Sequence, residues 1–298
     1  MPTVPLFLHT VCRWIRRFTL LWITLLPTSG VLANDDAIAA IDWTLAETLV
    51  ALDAPPAGVA QVDAYHAWVG EPELPDDVVD LGLRTQPNLE RLSELDPSRI
   101  LISPMFAGLT PKLSRIAEVE TLDFYNGERE LWDQLVALTH RLGDMVDQEA
   151  EADALIERTE TRLERQRQTL SSTDDRPLLM IQLMDERHAR VFGDHSLLQA
   201  VTDRLELENA WQGTTNAWGF SLVGLEDLMG IEARLVVIKP LPVGVKARLA
   251  DSGLWQQLPS VKRDDVIWLD PVWTFGALPS AQRFADLLTE ALEDADRA

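Results

Sequence analysis

From about Gln148 to Leu170 the chain runs without a proline or a glycine, and this stretch limits the architectures open to it. Ala152, Leu155/Ile156, Thr159 and Leu163 recur at helical spacing, so one stripe is apolar. Glu157, Glu160 and Glu164 interleave with Arg158, Arg162 and Arg165, giving ion pairs one turn apart on the wet faces. At a rise of about 1.5 Å per residue such a helix reaches roughly 30 Å, the width of a small lobe. The polar run Ser171–Asp175 and Pro177 stop it. Just before it, Leu131, Leu135, Leu138 and Leu142 mark a second amphipathic helix.

On both sides of this helical region, short apolar runs alternate with amphipathic segments. Ala37–Ile41 suits a buried strand, and Leu45, Leu49 and Leu52 follow at helical spacing until Pro55-Pro56 and Gly58 intervene; Val59 then begins another strand. Leu178–Leu183 is a strand of the same kind. Such alternation predicts α/β sheets covered on both faces. A weak internal repeat points the same way. Asn88-Leu89-Glu90-Arg91-Leu92 precedes the strand Ile100-Leu101-Ile102, and Gly224-Leu225-Glu226-Asp227-Leu228 precedes the strand Leu235-Val236-Val237-Ile238. The expectation is two α/β lobes, at 34–147 and 171–298, bridged by one long helix over 148–170.

The first 33 residues read as an address rather than as structure. Arg13, Arg16 and Arg17 precede the short apolar run Phe18–Leu26, Pro27 and Gly30 break it, and Val31-Leu32-Ala33 sets up a cut before Asn34. The apolar run is about half the roughly 17–25 residues that a membrane span needs. The Arg16-Arg17 pair leaves the general and twin-arginine export routes both open. Cys12 is the only cysteine and lies ahead of the apolar run, so a lipid anchor at the cut, a disulfide and a thiolate metal site are all unexpected downstream. A free periplasmic monomer is the expectation. The chain carries a net charge of −22, and the leader takes away three arginines and no acid. That balance argues against nucleic acid or an anionic membrane surface as a partner.

Catalytic motifs are lacking: there is no P-loop, no GxGxxG, no GxSxG and no HExxH. His66, His140, His188 and His195 have no close metal-ligand spacing. What the chain has instead is tryptophan. Eight of its ten tryptophans lie beyond the leader, against two tyrosines. Trp68, Trp218 and Trp273 sit among turn residues, where an indole offers apolar area and one donor to a ligand. Trp43, Trp132 and Trp255 occupy helical positions and are expected in the core.

The wording of several segments carries more. Tyr65-His66-Ala67-Trp68-Val69-Gly70-Glu71-Pro72, then Asp80-Leu81-Gly82-Leu83-Arg84-Thr85-Gln86-Pro87-Asn88-Leu89-Glu90, resembles the ferric hydroxamate (ferrichrome-type) siderophore-binding proteins of bacterial ABC importers. So do Arg187-His188 with Val191-Phe192-Gly193, Asn209-Ala210-Trp211-Gln212-Gly213, Thr215-Asn216-Ala217-Trp218-Gly219, and Val272-Trp273 with Phe275-Gly276-Ala277. The resemblance implies a class III solute-binding protein and no enzyme: two α/β lobes, little hinge motion, and a shallow aromatic cleft between them. It implies that Arg84 bonds the iron-chelating oxygens, that Trp68, Trp218 and Trp273 pack the ligand, and that Asn216 makes a nearby polar contact. Phe106 stands where the family has a tyrosine, and Phe275 where a hydroxyl-bearing aromatic can occur. Iron enters only as a siderophore chelate, so no cofactor and no protein metal ligand is implied. The family docks its permease through an acidic residue on each lobe. The matching first-lobe position reads Thr110-Pro111-Lys112, leaving Glu71, Glu73 or Glu118 there and Glu226 or Glu232 on the second lobe. Two other readings stay open: the same fold carrying haem, a cobalamin or a catecholate chelate, and an exported α/β hydrolase with a carboxylate and His188 or His195 as a dyad.

Overall fold

The structure is a computed structural model that describes residues 37–127, 129–171 and 176–297. The segment expected to be an export leader lies outside the described residues, as does most of the polar run after the long helix. The first half runs β1 (Ile38–Ala40), α1 (Trp43–Ala51), β2 (Gly58–Val59), α2 (Val62–Trp68), β3 (Val79–Asp80), β4 (Gly82–Leu83), β5 (Gln86–Pro87), α3 (Leu89–Leu95), β6 (Arg99–Ile102), α4 (Thr110–Leu113), β7 (Glu118–Thr121) and α5 (Leu131–Met145). The long helix is α6 (Glu149–Leu170). After it come β8 (Leu178–Leu183), β9 (His188–Phe192), α7 (Leu197–Arg204), β10 (Phe220–Gly224), β11 (Arg234–Ile238), α8 (Val245–Ala250), α9 (Gly253–Gln257), α10 (Pro259–Lys262), β12 (Val266–Leu269) and α11 (Leu278–Arg297).

Each half builds a five-stranded sheet, ordered β3-β2-β1-β6-β7 in the first and β10-β9-β8-β11-β12 in the second. The first is parallel throughout. In the second, β8, β11 and β12 are parallel while β9 runs antiparallel to both β8 and β10. The two strands of the sequence repeat, β6 and β11, hold the same fourth place in their sheets. Their preceding helices differ: α3 is an α-helix, whereas Leu225–Leu228 is one 3-10 turn. The repeat is thus real at the level of strand placement only.

On α6 the expected stripe is buried at Ala152, Leu155, Thr159 and Leu163, while Ile156 is part-exposed. All four stripe leucines of α5 are buried too. These two helices do not separate two cores. The largest apolar cluster takes Leu45 and Leu49 from α1, Leu135 from α5, Leu163 from α6, Met180 and Val236 from the second sheet, and Phe284 and Leu288 from α11. α11 packs on α6, α7 and α1. Apolar burial stabilises by about 25 cal/mol per Å², so sliding one sheet past the other would expose the core that both share.

A polar contact fixes the position of α11 within that core. Glu47 on α1 is fully buried, and its carboxyl accepts the Ala277 backbone N–H at 2.6 Å and the Ser280 hydroxyl. The first N–H groups of a helix lack partners within it, and a carboxyl placed there satisfies them. The Thr44 hydroxyl donates to the Phe275 carbonyl at 2.9 Å, and the Tyr125 hydroxyl to the Gly276 carbonyl at 3.1 Å. A Cβ on Gly276 would lie 2.6 Å from the Glu47 oxygen, so only glycine admits this approach.

Burial pushes the Glu47 carboxyl from its ordinary 4.5 up to about 8, against the lowering effect of the Ser280 and Ala277 hydrogen bonds. The folded chain therefore binds this proton more tightly than the unfolded chain, and the associated stability falls as pH rises from about 4.5 to about 8. Thermal melts between about pH 5 and pH 9 are expected to show that decline in the wild type relative to Glu47→Gln, which keeps an acceptor without the ionisation. Parallel profiles for the two proteins would contradict this assignment.

Candidate ligand-binding cleft

The first sheet delivers several loops to one place. After β1, Asp42 caps α1 by accepting the Thr44 N–H at 2.8 Å, and its other oxygen accepts the Ser103 hydroxyl at 2.7 Å. The cap sets Trp43 in the first turn of α1, its indole N–H donating to the Ala60 carbonyl at 2.8 Å. β4 and β5 pair Leu83 with Gln86, so Arg84 and Thr85 form a two-residue hairpin turn. Gly82 enters it at φ +77°, a conformation a side chain would strain. The Asp80 carboxylate steadies the hairpin by accepting the Gly82 N–H at 2.9 Å.

This turn lays Arg84 on Trp43, with the guanidinium carbon 3.6 Å from the ring centroid; the corresponding distances are 5.3 Å to Trp273 and 5.7 Å to Phe106. Cation–π contacts of this kind hold the fork in place without using its N–H donors. Arg84 has no hydrogen-bond or ion-pair partner among the described residues. Burial lowers its pKa and the charge of Asp42 raises it in part. The group stays protonated and its donors stay unspent.

The return segment between β12 and α11 adds Trp273 and Phe275. The Trp273 indole N–H donates to the Thr44 hydroxyl at 3.0 Å, and its ring meets that of Trp43 edge-on at 5.0 Å. Trp218 stacks on Tyr125 at 5.5 Å and meets Phe275 edge-on at 6.0 Å. From the second sheet comes Arg190, whose guanidinium carbon is 5.1 Å from Phe220 and 5.5 Å from Phe275. Trp43, Arg84, Arg190, Trp218, Trp273 and Phe275, together with Trp68, Met105 and Phe124, line a cleft of about 390 Å³ between the two sheets.

Of the residues picked from sequence, Trp68, Arg84, Trp218, Trp273 and Phe275 line this cleft. Phe106 does not: it is 5% exposed and packs in the first sheet's core beneath Arg84, and the preceding Met105, 56% exposed, is the one that lines the wall. Asn216 also stands outside the lining. Its side-chain oxygen accepts the backbone N–H groups of Trp218 at 2.9 Å and Phe220 at 3.3 Å, so it shapes the turn that presents Trp218. Trp43, expected only in the core, is buried and yet forms the cleft floor under Arg84. Trp132 and Trp255 are core residues as expected. Arg190 escaped notice, although it lies within the segment from Arg187 to Gly193; in β9, buried Ala189 and Val191 alternate with it and turn it to the cleft side.

The described residues hold no cluster of three metal-ligating side chains. His188 does pair with a carboxylate, Asp185, at 2.9 Å, but both are about half exposed in the β8–β9 turn and neither lines the cleft. The five acidic candidates are all exposed. Glu71 is held by Arg283 at 2.6 Å and Glu232 is paired with Arg263. Glu118 opens β7, whose start lies at the end of the parallel sheet away from the cleft loops.

Asn216→Ala is expected to lower stability by about 1 kcal/mol, the usual net value of a hydrogen bond, and to speed amide exchange at Trp218 and Phe220. Unchanged exchange at both amides would show that the turn forms without the Asn216 side chain.

A family model described as periplasmic binding protein matches residues 38–272. The iron(3+)-hydroxamate-binding protein FhuD of Escherichia coli (strain K12) is 34% identical over 268 residues, 87% of this chain and 88% of that protein. The solved structure of the siderophore-binding protein FhuD from Vibrio cholerae, bound to Fe3+-Desferal, matches with a TM-score of 0.81 at 26% identity, covering 87% of this chain and 98% of that one. The triscatecholate siderophore-binding protein FeuA from Bacillus subtilis, complexed with ferri-bacillibactin, matches with a TM-score of 0.69 at 20% identity over 90% of this chain and 95% of that one, a likeness of fold alone. With its paired sheets, long bridging helix and shared central cleft, the chain belongs to the periplasmic binding protein family.

Proposed function

We propose that this chain is an exported carrier, not a catalyst, that takes up a ferric hydroxamate siderophore in the cleft and delivers it to an ABC importer of the inner membrane. One observation carries the reading. Arg84 offers a guanidinium with no partner among the described residues, laid on Trp43 in a cleft whose lining includes Trp68, Phe124, Trp218, Trp273 and Phe275. A guanidinium fork matches paired anionic oxygens such as those around a chelated ferric ion. Iron in such a chelate already has its full set of ligands, so the carrier needs shape, apolar contact and a few donors rather than metal-binding side chains. The 34% identity to an iron(3+)-hydroxamate-binding protein supports the same class of cargo.

The leader fits export and release as a free periplasmic monomer, and the net charge of −22 disfavours nucleic acid as a partner. Docking to the permease falls to acids that the fold leaves uncommitted. Glu73 on the first lobe and Glu226 on the second are exposed and make no ion pair within the described residues, unlike Glu71 and Glu232. Because both sheets share one core, the cleft is preformed and its capture of cargo requires little closure.

Arg84→Ala is expected to weaken binding of ferric desferrioxamine B by about 1.5–3 kcal/mol, roughly 10- to 100-fold. Its melting temperature without ligand should stay near the wild-type value. Tryptophan-fluorescence titration against ferric hydroxamates, a ferric catecholate, haem and cobalamin is the test. Tightest binding of any of the last three, or an unchanged affinity in Arg84→Ala, would refute the proposal.

A further inference from the structure

Arg190 is the second guanidinium of the cleft, and the surroundings of the two differ. Its position is fixed by strand register: β9 pairs it with Gln182 of β8, and its Nη1 donates to the Gln182 side-chain oxygen at 3.2 Å. That oxygen belongs to a neutral amide, and no carboxylate lies within ion-pair distance of Arg190 among the described residues. Burial lowers its pKa and no compensating charge raises it. Arg84, by contrast, has Asp42 near it. Asp42 is the only carboxylate among the lining residues, and it is spent on the Thr44 N–H and the Ser103 hydroxyl. The cleft therefore carries an uncompensated positive charge inside a chain whose net charge is −22.

A cation that is half desolvated and bonded to one amide oxygen has donors left over and lacks a counter-charge. A ferric trihydroxamate is electroneutral, because three hydroxamate anions balance the ferric ion. On the reading above its coordinating oxygens bond Arg84, and the electroneutral complex brings no net charge to balance Arg190. We infer that Arg190 makes the second-lobe wall of the cleft an anion subsite, so that this carrier prefers ferric hydroxamate chelates bearing a free carboxylate over electroneutral ones. The inference rests on the ferric hydroxamate reading above and adds to it the charge of the cargo. The fork of Arg190 receives the pendant carboxylate while Phe220 and Phe275 hold the guanidinium from below, as Trp43 holds Arg84.

The test keeps the iron centre constant and changes only the pendant group. Desferrioxamine B ends in a primary amine, which N-acetylation makes neutral and N-succinylation turns into a carboxylate. The ferric complexes of both derivatives are titrated by fluorescence quenching into wild type, Arg190→Gln and Arg190→Ala. Wild type is expected to bind the succinyl chelate about tenfold more tightly than the acetyl chelate, one charged hydrogen-bonded contact in strength. In both variants that ratio should fall to within about twofold, whatever the absolute affinity for the acetyl chelate becomes. Circular-dichroism spectra and melting temperatures near those of wild type establish that the variants are folded. A wild type without preference, or a preference that survives in both variants, overturns the inference. Failure of both chelates to quench wild type refutes the hydroxamate reading itself, and this inference falls with it.

Discussion

Glu47 reaches from α1 to the start of α11, and the cleft's geometry depends on that reach. The segment it holds at Ala277 and Ser280 is continuous with Trp273 and Phe275, which form one wall of the cleft. Thr44 and Tyr125 bond the same segment, and Thr44 also receives the Trp273 indole N–H. The aromatic wall is thus placed by buried hydrogen bonds rather than by apolar packing alone. Apolar burial is non-directional, whereas a buried carboxyl loses its partners when it shifts by an ångström, at a cost of about 1–3 kcal/mol for each group left unsatisfied. With the shared apolar core behind it, this arrangement gives a cleft already built before cargo arrives.

Charge is partitioned as sharply as polarity. Among the described residues only Asp42 and Glu47 are buried acids, and the cleft holds two arginines whose planar groups rest on rings. Stacking suits this task because it restrains a guanidinium without consuming its donors, and it keeps the fork's plane fixed for a planar pair of oxygens. The cleft's cations, shielded within a low-dielectric aromatic lining, act at short range on whatever enters it.

Arg84 was singled out by resemblance, whereas the bridging helix and the strands β1 and β8 were legible in the sequence because each is a local pattern, a period or an apolar run. The tryptophans at turns were legible for the same reason. The Glu47 contact was not, since its partner lies 230 residues away and a lone glutamate in a helix reads as solvated. Arg190 looks like any strand arginine until the sheet turns it toward the cleft. Asn216 and Phe106 stand outside the cleft lining for separate reasons. An asparagine beside a ligand wall bonds its own turn just as readily, and a ring next to a binding arginine serves equally well from beneath it. Resemblance finds the neighbourhood of a site, whereas the contacts decide which side chains face into it.

The central claim is that one preformed cleft between Arg84 and Arg190 receives an iron chelate. Iron anomalous scattering from crystals of the chain grown with ferric desferrioxamine B tests it most directly. The account predicts a single iron peak in the cleft, beside Arg84 and flanked by Trp218 and Trp273, with the two sheets in the same relative position as in ligand-free crystals. An iron peak on the surface, or a peak in the cleft reached only through a large rotation of one sheet against the other, would contradict it.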